Sequence, residues 1–241
     1  MHTNPFVKKY LVAGPGERTA SYGGIAWKSV WFWLLAIGGV FVYFAYPPTQ
    51  ENSHIFLVII AVTIISSLLT YWVPSATPFF GSLGAASLGY VVGFACVNYA
   101  KEYAGIVWIA LAVTALVFFV MLFLYLSGIV KVGRRFRTII TTLFITAVAG
   151  GAVVGISSFF TPVLVNAFWG DGPFGLIVSV VMLLIAVLNL AVDFDYISTI
   201  VEKGMMKKFE WRAAYGLFFT IVTIFLRVLN LLSKVMGKKN N

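Results

Sequence analysis

Apolar runs of about 18 to 22 residues recur along this chain with only short polar breaks between them. That is the length an α-helix, rising 1.5 Å per residue, needs to cross roughly 30 Å of hydrocarbon. Of the 241 residues, 61% are hydrophobic and 10% charged, whereas an ordinary soluble domain carries roughly a quarter charged residues. A water-soluble core has no use for so much apolar surface. The expected fold class is therefore an all-α integral membrane protein of about seven transmembrane helices, with the lipid bilayer as its main partner.

The runs predict spans at 29–46, 54–72, 82–99, 105–126, 138–158, 174–195 or longer, and 213–232. Together they form a transmembrane domain over 29–235, between an amino-terminal tail 1–28 and a polar tail 236–241. Pro47 and Pro48, Pro74 and Pro78, Gly128, Pro162, and Gly172 with Pro173 mark the breaks, because proline lacks an amide donor and glycine loosens the backbone. Trp31, Trp33, Tyr71, Trp72, Trp169 and Trp211 cluster near the run ends, as interfacial aromatics do. A polar segment containing Gly14, Pro15 and Gly16 precedes the first run. That run reads as a retained span rather than a secretory signal, and the leader as a flexible tail with a short amphipathic approach to the membrane.

A net charge of +9 invites a nucleic-acid reading, but the cations sit in membrane-flanking segments. Lys8, Lys9, Arg18 and Lys28 precede the first span; Lys131, Arg134, Arg135 and Arg137 separate spans four and five; Lys203, Lys207, Lys208 and Arg212 separate six and seven. The positive-inside tendency puts all three segments, and so the amino terminus, in the cytoplasm, and no nucleic-acid partner is expected. The opposite loops carry Glu51, the Lys101 and Glu102 pair, and Asp171. Seven spans leave Lys238 and Lys239 outside, against that tendency, and Arg227 interrupts the last run. A full span is preferred to a partly inserted or re-entrant segment.

No catalytic constellation is present, so enzyme activity is not expected. His2 and His54 are the only histidines, without Cys, Glu or His at metal-ligand spacing; no metal site and no cofactor are expected. Cys96, the single cysteine, reads as a small buried packing residue. Two stripes of small residues, Ala85, Gly89 and Gly93, then Ala147, Gly151 and Gly155, each present a smooth helix face that a neighbouring backbone can approach.

Ionisable groups inside apolar runs are costly and usually paired or functional. Asp193 and Asp195 end the sixth run and Arg227 interrupts the seventh. Two residues apart on a helix, the aspartates point away from each other, so at most one faces a given partner. Both could be solvated at the interface, and Arg227 could snorkel; alternatively Asp195 faces Arg227 inside the bundle. Equal depth on antiparallel helices would take about nine helical residues beyond each and a loop of about 13, the sixth helix continuing to Gly204 and both groups lying about 13 Å from the surface. A carboxylate held by a permanent cation and one left unpaired out of water imply opposite pH behaviour.

Several segments, taken in order, resemble the Bax inhibitor-like membrane proteins, and specifically their bacterial long-form branch. They are Ala20-Ser21-Tyr22-Gly23-Gly24-Ile25-Ala26-Trp27-Lys28-Ser29; Gly89 and Gly93, then Tyr103-Ala104-Gly105-Ile106-Val107; Tyr125-Leu126-Ser127-Gly128-Ile129-Val130-Lys131 with Arg135-Phe136-Arg137; Leu188-Asn189-Leu190-Ala191-Val192-Asp193-Phe194-Asp195-Tyr196-Ile197; and Glu210-Trp211-Arg212-Ala213-Ala214-Tyr215-Gly216-Leu217. The resemblance implies a seven-helix fold with the last helix surrounded by the other six, in a bacterial inner membrane. It also implies a pH-sensitive calcium leak controlled by one intramembrane carboxylate on helix six and one on helix seven. Asp195 matches the first, but Arg227 stands at the second, and Leu88 stands where relatives are expected to carry a glutamate. The expectation is a leak, with calcium as the permeant ion, closed by an Asp195–Arg227 ion pair, Asp193 being the alternative partner. A non-transporting regulator that binds a membrane protease or other membrane proteins is the second reading, and a proton-coupled transporter of a small solute the third.

Overall fold

The computed structural model describes residues 18–48, 53–157, 170 and 172–239. His2, Lys8, Lys9, Gly14, Pro15, Gly16, Glu51, Pro162, Trp169 and Asp171 lie outside the described residues. The described residues form seven α-helices: α1 Tyr22–Ala45, α2 Ser53–Trp72, α3 Thr77–Glu102, α4 Ile106–Leu126, α5 Arg134–Ser157, α6 Pro173–Glu202 and α7 Lys208–Lys239, with a 3-10 turn Pro74–Ala76 before α3. Five are long and apolar enough to cross a membrane: α1, α3 with its 3-10 turn, α4, α6 and α7; the apolar stretch of α2 is shorter, His54–Thr70.

Local chemistry sets the boundaries. Ser21, in extended backbone, accepts the Gly24 N–H on its hydroxyl at 3.1 Å, an N-cap that satisfies one of the orphan donors of the first turn. α1 therefore starts at Tyr22, ahead of the apolar run, and it stops before Pro47 and Pro48, which exclude helical backbone at the residue preceding them. Pro74 opens the 3-10 turn, where a missing N–H costs nothing. α6 runs beyond the apolar segment to Glu202, and Gly204, at φ 56°, takes the left-handed turn that stops it. The link to α7 is then only residues 203–207, where the equal-depth arrangement of Asp195 and Arg227 required about 13. α7 continues unbroken through Arg227 to Lys239, one long helix rather than a re-entrant segment.

Along α7 no residue from Phe209 to Lys234 is exposed, each described side chain being buried or half-buried. By contrast α4 shows Trp108, Leu116, Phe119 and Phe123 to the surroundings, as lipid-facing side chains do.

The chain divides into two compact units, Met1–Cys96 with Asp195–Phe219, and Val97–Phe194 with Thr220–Asn241. In the first, α1 and α3 cross backbone to backbone: a Cβ on Gly89 would collide with the Ala36 carbonyl, and one on Gly93 would come 3.0 Å from the Tyr43 side chain. Fully buried Phe32 meets Tyr215 and Trp211 edge-on at 5.3 and 5.8 Å. In the second, Phe194 packs on Phe118 and Tyr125 at 5.7 and 5.9 Å. Gly151 is half-buried in α5, which also carries Gly155. Cys96 is half-buried rather than fully enclosed, and Leu88 is a buried apolar residue of α3.

Candidate functional site

Three polar clusters lie along α7, where an all-apolar helix would have satisfied the bilayer. At its start Glu210 is fully buried, held by the α6–α7 turn and α1. Its carboxylate accepts the Ser21 N–H at 2.9 Å and the Ser21 hydroxyl at 3.2 Å, and forms an ion pair with buried Lys28. Lys28 in turn lies 5.3 Å from the centroid of Trp211, a cation–π distance. Gly24 makes room for this arrangement, because a Cβ there would overlap the Glu210 carboxylate. The segment before the cap is tied to the α6–α7 turn: Thr19 and Met206 form an antiparallel bridge, Ala20 N–H donates to Met205 O at 2.8 Å and Lys207 N–H to Arg18 O at 3.2 Å. Residues 18–21 thus form a strap and a helix cap.

The second cluster centres on Thr220 of α7. Asn189 donates one amide bond to the Thr220 hydroxyl at 3.1 Å and a longer one to the Asp193 carboxylate at 3.4 Å, and Thr220 also hydrogen-bonds Asp193. Thr220 and Asn189 are buried, so a carboxylate in the second half of α6 is held between α6 and α7 by two neutral groups. Such a contact is strong only while each lone pair and proton has a partner. Asp193 is therefore engaged with α7, but through Thr220 rather than Arg227.

The third cluster sits near the far end. Lys234, 2% exposed, donates to Gly175 O and to the Ser179 hydroxyl, each at 2.8 Å. Ser179 also bonds the Asn230 side chain at 2.9 Å, and Asn230 donates to Tyr99 Oη at 3.0 Å. Arg227 is half-buried on the same helix, with Tyr99 its electrostatic neighbour. Asp195 is half-buried near the end of α6; it belongs to the first unit and Arg227 to the second.

Sequence reasoning singled out Asp193, Asp195 and Arg227 and missed Glu210, Lys28, Asn189, Thr220 and Lys234 as partners. Two signals were available. Glu210 is the single acid among four cations over residues 203–212, and Asn189 stands one helical turn before Asp193 on the same face. Among the described residues no three His, Cys, Asp or Glu side chains converge as metal ligands would.

Seven α-helices among the described residues, five of them long and apolar enough to cross a membrane, define a multi-pass α-helical membrane protein. The model of the Bax inhibitor 1 like family matches residues 4–237, nearly the whole chain, and the protein belongs to that family. No curated protein and no solved structure matches it.

Proposed function

We infer that the protein is a cation leak of the Bax inhibitor type, modulated by pH, with calcium among its permeant ions. The observation that supports this reading is the Asn189–Asp193–Thr220 cluster joining α6 to α7. While Asp193 is ionised it accepts from both neighbours and holds the helices together. Once protonated it brings a proton of its own against the Asn189 amide hydrogens, and the contact loosens; flux should therefore rise as pH falls. A hydrogen bond to a charged group contributes about 1.5–3 kcal/mol, enough to change an open-to-closed ratio roughly ten- to hundredfold.

The Asp195–Arg227 closure expected from the family pattern is the competing assignment within the same reading, and both can be read in one experiment. Calcium and potassium flux into proteoliposomes is measured between about pH 5 and 8 for the natural protein, Asp193→Asn, Asp195→Asn and Arg227→Glu. High flux with a flat pH profile in Asp193→Asn supports closure through the Thr220 cluster. The same behaviour in Asp195→Asn, with acid dependence restored by Arg227→Glu, moves the closure to that pair. Absence of flux from every folded variant would refute the leak and favour the regulator of other membrane proteins. The sparse carboxylates, with no metal-ligand cluster among the described residues, suit that second reading. The unbroken run of α6 and α7 argues against a transporter built on interrupted helices.

A further inference from the structure

Beside the first cluster, and sharing Lys28 and Trp211 with it, the first unit carries a cleft of about 350 Å³ lined by Trp27, Lys28, Trp31, Lys207 and Trp211. Its composition is unusual for either solvent or lipid: three indole rings and two ammonium groups in one place. The two lysines are not equivalent. Lys28 is buried and neutralised by Glu210, while Lys207 is exposed in the α6–α7 turn. With Lys28 neutralised by Glu210, Lys207 leaves the lining of the cleft with one uncompensated cation. The cleft therefore presents net positive charge on an aromatic wall.

The hydrogen-bond inventory of the rings adds a second observation. Trp31 gives its indole N–H to Ser82 Oγ at 3.1 Å. Among the described residues, Trp27 and Trp211 spend theirs on no protein acceptor, and Trp27 is 75% exposed. Two indole donors and one free ammonium around a concave aromatic surface match an acceptor-rich anion with an apolar continuation. That continuation has a track: Trp27, Trp31, Leu34 and Phe41 lie exposed down α1 from the cleft, a surface that acyl chains would cover.

We propose that this cleft is a binding site for an anionic phospholipid, its phosphate and headgroup against Lys207 and the Trp27 and Trp211 indoles, its acyl chains along α1. A phosphodiester supplies the oxygens the donors lack, and a net negative headgroup complements the charge of the turn. A choline headgroup carries its own cation into the same place and is disfavoured. Because the cleft is lined by Trp27, Lys28 and Trp31 of α1 and by Lys207 of the α6–α7 turn, an occupying lipid bridges α1 to that turn. It is thereby a cofactor of the closed bundle rather than bulk solvent.

The test is lipid binding by the full-length protein in detergent, followed by native mass spectrometry and by the melting temperature. Phosphatidylglycerol, phosphatidylcholine and free glycerol phosphate are titrated in parallel. Phosphatidylglycerol should be retained and raise the melting temperature at concentrations where phosphatidylcholine and glycerol phosphate do neither. One lysine near an anionic lipid surface changes affinity about fivefold. Lys207→Gln should lose about that factor for phosphatidylglycerol, whereas Lys208→Gln, outside the cleft, should stay within about twofold. Trp27→Phe keeps an apolar ring without the donor and should also weaken retention. Equal binding of phosphatidylglycerol and phosphatidylcholine, equal loss in Lys207→Gln and Lys208→Gln, or glycerol phosphate binding as tightly as the lipid would each overturn the proposal.

Discussion

Glu210→Ala should be among the most damaging single substitutions in the first unit. The change removes an acceptor that serves the Ser21 N–H, the Ser21 hydroxyl and the Lys28 ammonium together, inside a site where Glu210 is fully buried and the Lys28 side chain is 10% exposed. Breaking a buried pair by deleting one partner costs about 3–5 kcal/mol, because the remaining charge is left uncompensated. With a melting shift of roughly 2–4 °C per kcal/mol for a chain of this size, the apparent melting temperature should fall by about 10 °C. Lys28→Met alone should fall less, since Glu210 keeps its two Ser21 donors. The double variant Lys28→Met with Glu210→Ala should lose much less than the two singles together, as removing a whole buried pair leaves no uncompensated charge. Thermal unfolding of the four detergent-purified proteins, followed by tryptophan fluorescence, completes a double-mutant cycle. Additive losses, or a shift under 2 °C for Glu210→Ala, would refute the idea that the pair acts as a unit.

Other outcomes follow from the same packing. Gly89→Val should prevent stable folding because its side chain meets the Ala36 backbone, whereas Gly38→Ala, with nothing within 4 Å, should leave expression and melting unchanged; size-exclusion profiles from membrane extracts distinguish the two. Gly84→Ala should destabilise by pressing on the Tyr215 hydroxyl, 2.5 Å from the added carbon, and Tyr215→Phe should partly rescue it despite losing the 2.7 Å bond to Ser67; a melting series of the two singles and the double reads the rescue. Asn189→Leu should raise proteoliposome flux at neutral pH toward the level of Asp193→Asn, since either change dismantles the contact with Thr220. Lys234→Met should cost about 1–3 kcal/mol by stripping the donor from Gly175 O and Ser179, visible as a lower melting temperature.

Seven apolar runs made seven helices readable, and the prolines at 47, 48 and 74 stand just beyond the ends of α1 and α2, although among the described residues only five helices are long and apolar enough to cross a membrane. Their true extents were not readable. Tyr22 begins a helix because Ser21 caps it, and α6 reaches Glu202 on residues whose apolarity alone says nothing about termination. The polar contacts were the least legible part. Lys28 carries a positive-inside signal and a buried ion pair at once, and only the fold separates the two roles. Thr220 looks like any small polar residue of an apolar run until Asn189 and Asp193 are brought beside it. Charge placement within a sequence shows which groups are expensive to bury; which neutral partner offsets the expense depends on contacts across helices.

The link between Ser21 and Glu210 spans 189 residues of sequence, and that distance has a consequence during synthesis. At about 5–20 residues per second, the ribosome needs roughly 10–40 s between making the cap of the first helix and making the carboxylate that completes it. Throughout that interval Lys28 is a lone cation at the mouth of an inserted helix. Arrival of the last helix neutralises it, so the first turn of the protein closes only when its final helix has been delivered.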